Sequence, residues 1–143
     1  MKTMKYWGLF IGPTEMEKLG IFTETELHIT MQYFGLTGGS IPEPFAEGQE
    51  FEITVDGDGT YIVDGVVMNT GLRVQLPDVL RSVFAYTVPH ITTFFNEDAG
   101  AKAVDTAKCT WYDRLHMTTL KGVVKGFYVE ALDEDEESQH TDE

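Results

Sequence analysis

Cysteine is almost missing: Cys109 stands alone in 143 residues, so no internal disulfide and no cysteine-built zinc cage can form. No histidine or basic residue adjoins it in sequence, which makes it a packing residue rather than a nucleophile. Long apolar runs are missing as well. No stretch approaches the roughly 18 residues that a membrane helix needs, so no membrane partner is expected. The opening "MKTMKYWGLFIGPTEME" lacks the small-residue cleavage pattern of a signal peptide and fits a first strand, which points to the cytoplasm. Positive charge is scarce, with ten Lys and Arg against 24 Asp and Glu. Affinity for long nucleic acid comes mainly from cations set against phosphates, so that partner is excluded, whereas a small nucleotide in a local pocket is still permitted. Eight of the fourteen net negative charges lie in residues 130 to 143, leaving six for the rest. Residues 131–143 therefore read as a disordered acidic tail, and residues 1–130 as one domain large enough to bury its own core. Nothing in the sequence fixes an oligomeric state.

What is present is mostly strand. A first strand covers Lys5 to Ile11, and Thr14 caps a short helix that Gly20 closes. Leu27 to Phe34 is a second strand, followed by the Gly- and Pro-rich "GLTGGSIPEP". The segment "EFEITVDGDGTYIVDGVVMNTGLRVQL" reads as three or four short antiparallel strands, turning at Gly57-Asp58-Gly59, near Asp64-Gly65 and at Asn69-Thr70-Gly71. "DGDGT" carries too few oxygen ligands for a calcium loop, because the twelfth position counted from Asp56 is Val67. A short helix starts near Asp78, a strand runs from Val88 to Phe95, and "TTLKGVVKGFYVEAL" closes the chain as a final strand region. The fold class is α+β, with antiparallel sheet predominating and helices few.

The chemistry is concentrated in two triplets. "LHITMQYF" and "PHITTFF" each place His-Ile-Thr in a strand, so His28 and Thr30 share one face, and His90 and Thr92 share another. A hydroxyl donates to a phosphoryl oxygen, and imidazole is the side chain that gives or takes a proton near neutral pH. Two such strands facing each other would supply a base for the nucleophile and an acid for the leaving oxygen, with no metal and no cofactor. The copies are 62 residues apart, a separation suited to a duplicated lobe.

These motifs resemble the paired His-x-Thr signatures of the two-histidine (2H) phosphoesterase superfamily, the RNA ligase T-like phosphodiesterases. The resemblance covers nearly all of residues 1–130 and implies two pseudo-symmetric antiparallel lobes around a central cleft. It further implies hydrolysis of a small nucleotide phosphodiester, a 2′,3′-cyclic phosphate or a cyclic oligonucleotide signal, with His28 and His90 as acid and base and Thr30 and Thr92 as phosphate donors. Small size and an acidic body are similar to the phage branch that degrades the cyclic oligonucleotide alarm signals of bacterial immunity (anti-CBASS). Met31 and Thr93 stand where the family usually has leucine after each triplet.

A third triplet, His116-Met117-Thr118, lacks a preceding apolar run and reads as the start of the last strand; pairing His28 with His116 is the fallback. Secondary candidates for substrate binding are Tyr6, which alternates away from Trp7, Leu9 and Ile11; the pair Trp111 and Tyr112; and Lys121 and Lys125 on one strand face. The competing functional reading is a sponge that sequesters a cyclic nucleotide without cleaving it.

Overall fold

Period-two alternation organises this chain. The structure, a computed structural model, describes residues 2–130, and the expected acidic tail lies outside the described residues. Six strands carry the fold: β1 (Lys2–Ile11), β2 (Leu27–Tyr33), β3 (Glu50–Val63), β4 (Val66–Gln75), β5 (His90–Phe95) and β6 (Thr110–Glu130). They are hydrogen-bonded in the order β1-β2-β5-β4-β3-β6, antiparallel throughout, and the ring closes between β6 and β1. Closure leaves no open edge. Two single-turn helices, α1 (Pro13–Met16) and α2 (Asp78–Arg81), and four 3-10 turns complete it, so sheet predominates and helices are few, as the sequence predicts.

The barrel interior takes every second residue: Trp7, Leu9 and Ile11 from β1, Ile29 and Met31 from β2, Ile53 and Val55 from β3, Leu72 and Val74 from β4, Ile91 from β5, and Leu120 and Val124 from β6. Burying each such side chain contributes about 1.5–3 kcal/mol, and a one-residue slip would turn the whole set outward, so the register is strongly fixed.

Three expectations are corrected. Thr14 is not the N-cap; Gly12 is, with Pro13 at the first helical position, where its missing N–H costs nothing. Gly20 does end the helical segment, at φ +73°. Instead of three or four short strands between residues 50 and 75 there are two long ones, and the only turn is Asp64-Gly65, with φ +51° and +80°. Gly57, Gly59 and Gly71 lie mid-strand. A Cβ on Gly59 would come within 2.4 Å of the Trp111 ring, and one on Gly71 within 2.7 Å of Thr106, so these glycines make room for side chains from β6 and from the 3-10 turn Ala103–Lys108. The last strand starts eight residues before the predicted "TTLKG". Its register with β3 jumps from Gly57↔Asp113 to Val55↔Thr118, so residues 114–117 bulge outward. His116 sits in that bulge, exposed, beside Leu115, which is 97% accessible.

No helix among the described residues is long and apolar enough to cross a membrane.

Candidate active site

β2 and β5 meet at the pair Ile29↔Ile91, both fully buried in the barrel. Since those two point inward, their neighbours on either side point outward. The antiparallel register then sets His28 across from Thr92 and Thr30 across from His90. One local twofold axis relates the triplets, and His28 and His90 become diagonal neighbours, a spacing of roughly 7–8 Å. All four side chains are half-buried. The two motifs predicted to cooperate therefore lie side by side on one outer face of the barrel.

β1 forms the wall beside His28. Phe10 pairs with His28 and Gly8 with Thr30, and Gly8 has no alternative here because a Cβ would sit 2.0 Å from the Ile29 carbonyl oxygen. The imidazole of His28 stacks on Tyr6 at 4.9 Å and on Phe10 at 5.3 Å, and Tyr6 stacks in turn on Phe127 at 5.0 Å. Lys125 lies 5.8 Å from the Phe10 ring, its ammonium held by both carboxylate oxygens of Glu26 at 2.9 Å.

β4 and β6 form the wall beside His90. Arg73 is opposite His90 in register, and its guanidinium is held by Asp56 at 2.7 Å and by Asp113. Trp111 reaches across Gly59 and past Gly71 to bring its ring within 5.9 Å of the His90 ring. His90 Nδ1 lies 2.9 Å from the Val88 carbonyl. A carbonyl only accepts, so Nδ1 carries the hydrogen and Nε2 is left for the outer face.

The hydroxyls differ. Thr92 donates to Thr106 Oγ1 at 2.9 Å, and the same oxygen accepts from the Asn69 amide at 3.0 Å. Thr30 has no side-chain hydrogen bond among the described residues.

Electrostatically, burial lowers the pKa of both imidazoles below the ordinary 6.5. For His28 the positive charge of His90 lowers it further, which reflects how close the rings are. The Val88 carbonyl partly offsets the effect at His90 by favouring its cation. Cys109 is buried and its thiol is pushed up to about 11 by desolvation, so it is no nucleophile.

Among the other predicted residues, Tyr6, Trp111 and Lys125 belong to this surface. Tyr112 does not: it alternates away from Trp111, pairs in register with Asp58 and is 63% exposed. Nor does Lys121, which lies opposite Glu52 with its ammonium 3.6 Å from Glu50. The His28–His116 fallback fails because β6 carries His116 out in the bulge, with β1 between β6 and β2. His140 lies outside the described residues. Phe10, Phe127, Arg73 and Thr106 were missed. Phe10 was within reach, being two residues beyond Gly8 on the face assigned to Tyr6; Arg73 and Thr106 gain their roles from strand order alone. Among the described residues, no three His, Cys, Asp or Glu side chains are grouped to hold a metal ion.

No family model, curated protein or solved structure matches this chain.

Proposed function

We propose that the protein is a metal-independent phosphodiesterase. The observation that carries this reading is the diagonal pair of half-buried imidazoles on paired strands, each with a threonine across from it. In this reading His28, with aromatic rings around it and no hydrogen-bond partner, is the base. It removes the proton from the attacking hydroxyl or water. As the new P–O bond forms, Thr30 donates to a non-bridging oxygen where negative charge gathers. His90, its Nδ1–H pinned to Val88, gives the Nε2 proton to the leaving oxygen as the old P–O bond breaks. With a substrate 2′-hydroxyl as nucleophile, the products are a 2′,3′-cyclic phosphate and a free 5′-hydroxyl. His28 has gained the proton that His90 lost, and exchange with water resets the pair.

More particularly, we read the substrate as a small nucleotide with bases near the scissile phosphate, a cyclic oligonucleotide signal in the first instance. Aromatic rings stand on both sides of the imidazole pair: Tyr6, Phe10 and Phe127 on one, Trp111 on the other. Stacking on such rings holds bases irrespective of charge. The two-lobed architecture belongs to the same reading. Exchanging β1, β2 and β3 with β4, β5 and β6 leaves the ring order of strands unchanged, and the exchange relates two three-stranded halves, β6-β1-β2 and β3-β4-β5, that meet at β2–β5 and at β3–β6.

The test is incubation with cyclic dinucleotides, cyclic trinucleotides and 2′,3′-cyclic nucleotides in excess chelator, followed by heat denaturation and chromatography. The expected result is cleaved product. Quantitative recovery of intact nucleotide that had been bound would replace the enzyme with a sponge.

A further inference from the structure

We propose that the hollow beside His90 is a seat for a guanine nucleoside attached to the phosphate under attack; this rests on the phosphodiesterase reading and adds a base preference to it. The hollow has a volume of about 470 Å³, within the range of small-ligand pockets. It lies on the His90 side of the site: Val88, whose carbonyl holds His90, is part of its lining, and so is Arg73, the register partner of His90.

The accessible lining is mainly polar, with Val88 and Pro89 beside the charged groups. Val74 and Leu76, which also border it, belong to the buried core, so a base seated there is held by its edges rather than by a stacking surface. Of the charged groups, Arg73 is already committed to Asp56 and Asp113, and Asp56 also accepts from the Gln75 amide at 2.8 Å. That leaves Asp78 and Arg81, both on α2 and both lining the hollow. Their i,i+3 spacing invites an ion pair. Elsewhere this chain closes such pairs, Lys18 with Glu15 at 3.0 Å and Lys108 with Asp105 at 3.3 Å. Asp78 and Arg81 do not close, and among the described residues neither side chain has another partner.

An open carboxylate next to an open guanidinium is neutral overall, which favours an uncharged base over a second phosphate. It also presents acceptors beside donors. Guanine matches both: its N1–H and N2–H₂ suit the carboxylate, and its O6 and N7 are the acceptor pair that a guanidinium grips with two hydrogen bonds. Adenine has no N1–H and no N2 amino group, and so offers the carboxylate less.

The experiment is calorimetric titration of the full chain with guanosine, inosine and adenosine, which contain no phosphodiester and so bind without turnover. Guanosine is expected to bind at least ten-fold more tightly than adenosine, with inosine, lacking only the N2 amino group, between them. Asp78→Asn should narrow that preference by weakening guanosine most and inosine less while leaving adenosine unchanged, and Arg81→Ala should weaken guanosine and inosine together. Both side chains are exposed, and unchanged melting confirms intact folding. Equal affinity for guanosine and adenosine, no measurable guanosine binding, or guanosine affinity untouched by both variants overturns the proposal. His28→Ala separates the two readings: a guanosine preference alongside undiminished turnover in that variant sinks the catalytic reading and leaves the base seat standing.

Discussion

The two His-Ile-Thr strands are twins in sequence and in register, yet the barrel treats them differently. On β2, His28 lies against Tyr6 and Phe10 without a hydrogen bond, and the Thr30 hydroxyl is uncommitted. On β5, His90 is fixed by a backbone carbonyl, and Thr92 spends its hydrogen on Thr106. A repeated motif therefore gives equivalent positions but not equivalent chemistry. Neighbouring strands decide which imidazole is pinned in one tautomer and which is kept bare.

The sharpest way to break this comparison is to change the leaving group. On a natural nucleotide, His28→Ala and His90→Ala should each lower kcat by about 10²–10⁴, the usual contribution of a general acid or base. With a p-nitrophenyl phosphodiester the leaving oxygen needs no proton, so His90→Ala should recover to within about ten-fold of wild type while His28→Ala stays impaired. Steady-state rates on both substrates check this; equal rescue of the two variants would abolish the assignment of base and acid.

The hydroxyls come next. Thr30→Val should reduce kcat by about 10–100-fold, the scale of one lost hydrogen bond to a charged group, and leave thermal stability unchanged. Thr92→Val should do the reverse, losing about 1 kcal/mol of stability with little effect on rate. Paired melting and rate measurements distinguish the two.

A packing test follows. Gly59→Ala puts a methyl group where the Trp111 ring lies, at a cost of about 1–3 kcal/mol in denaturant unfolding, and displaces the ring that reaches His90.

The smallest effect is on pH dependence. Both imidazoles have folded-state pKa values below the 6.5 expected of the unfolded chain, with burial as the chief cause. The unfolded chain then binds protons first as pH falls, so this contribution to stability is whole above about pH 6.5 and declines below it. His28→Gln should flatten that decline in melting curves taken from pH 7.5 to 5. In the same range, kcat/KM should peak on the acid side of pH 6.5, since one imidazole must keep its proton.

Much of this was legible in the sequence because strand alternation is a local signal. His28, Thr30, His90 and Thr92 were found from spacing alone, and the buried Ile29 and Ile91 between them account for why each pair faces outward. The glycines of β3 and β4 misled because a mid-strand glycine and a turn glycine look alike until the partner strand is known; Gly59 is explained only by Trp111, 52 residues later. Arg73 and Thr106 were invisible for the same reason: their places beside His90 and Thr92 come from β4 pairing with β5 and from a 3-10 turn folding over it. Long-range pairing also decided against His116, whose triplet matches the others in letters but falls where β6 bulges away from β3.

The central claim is that the two imidazoles act as one unit on a single phosphorus. Measuring turnover of a cyclic dinucleotide in chelator by wild type, His28→Ala, His90→Ala and the double variant tests it most directly. The account predicts that each single change removes nearly all turnover and that the double change removes no more than the worse single one, as for residues that work together. Single variants that keep near-native rates, or losses that simply multiply in the double variant, would contradict it.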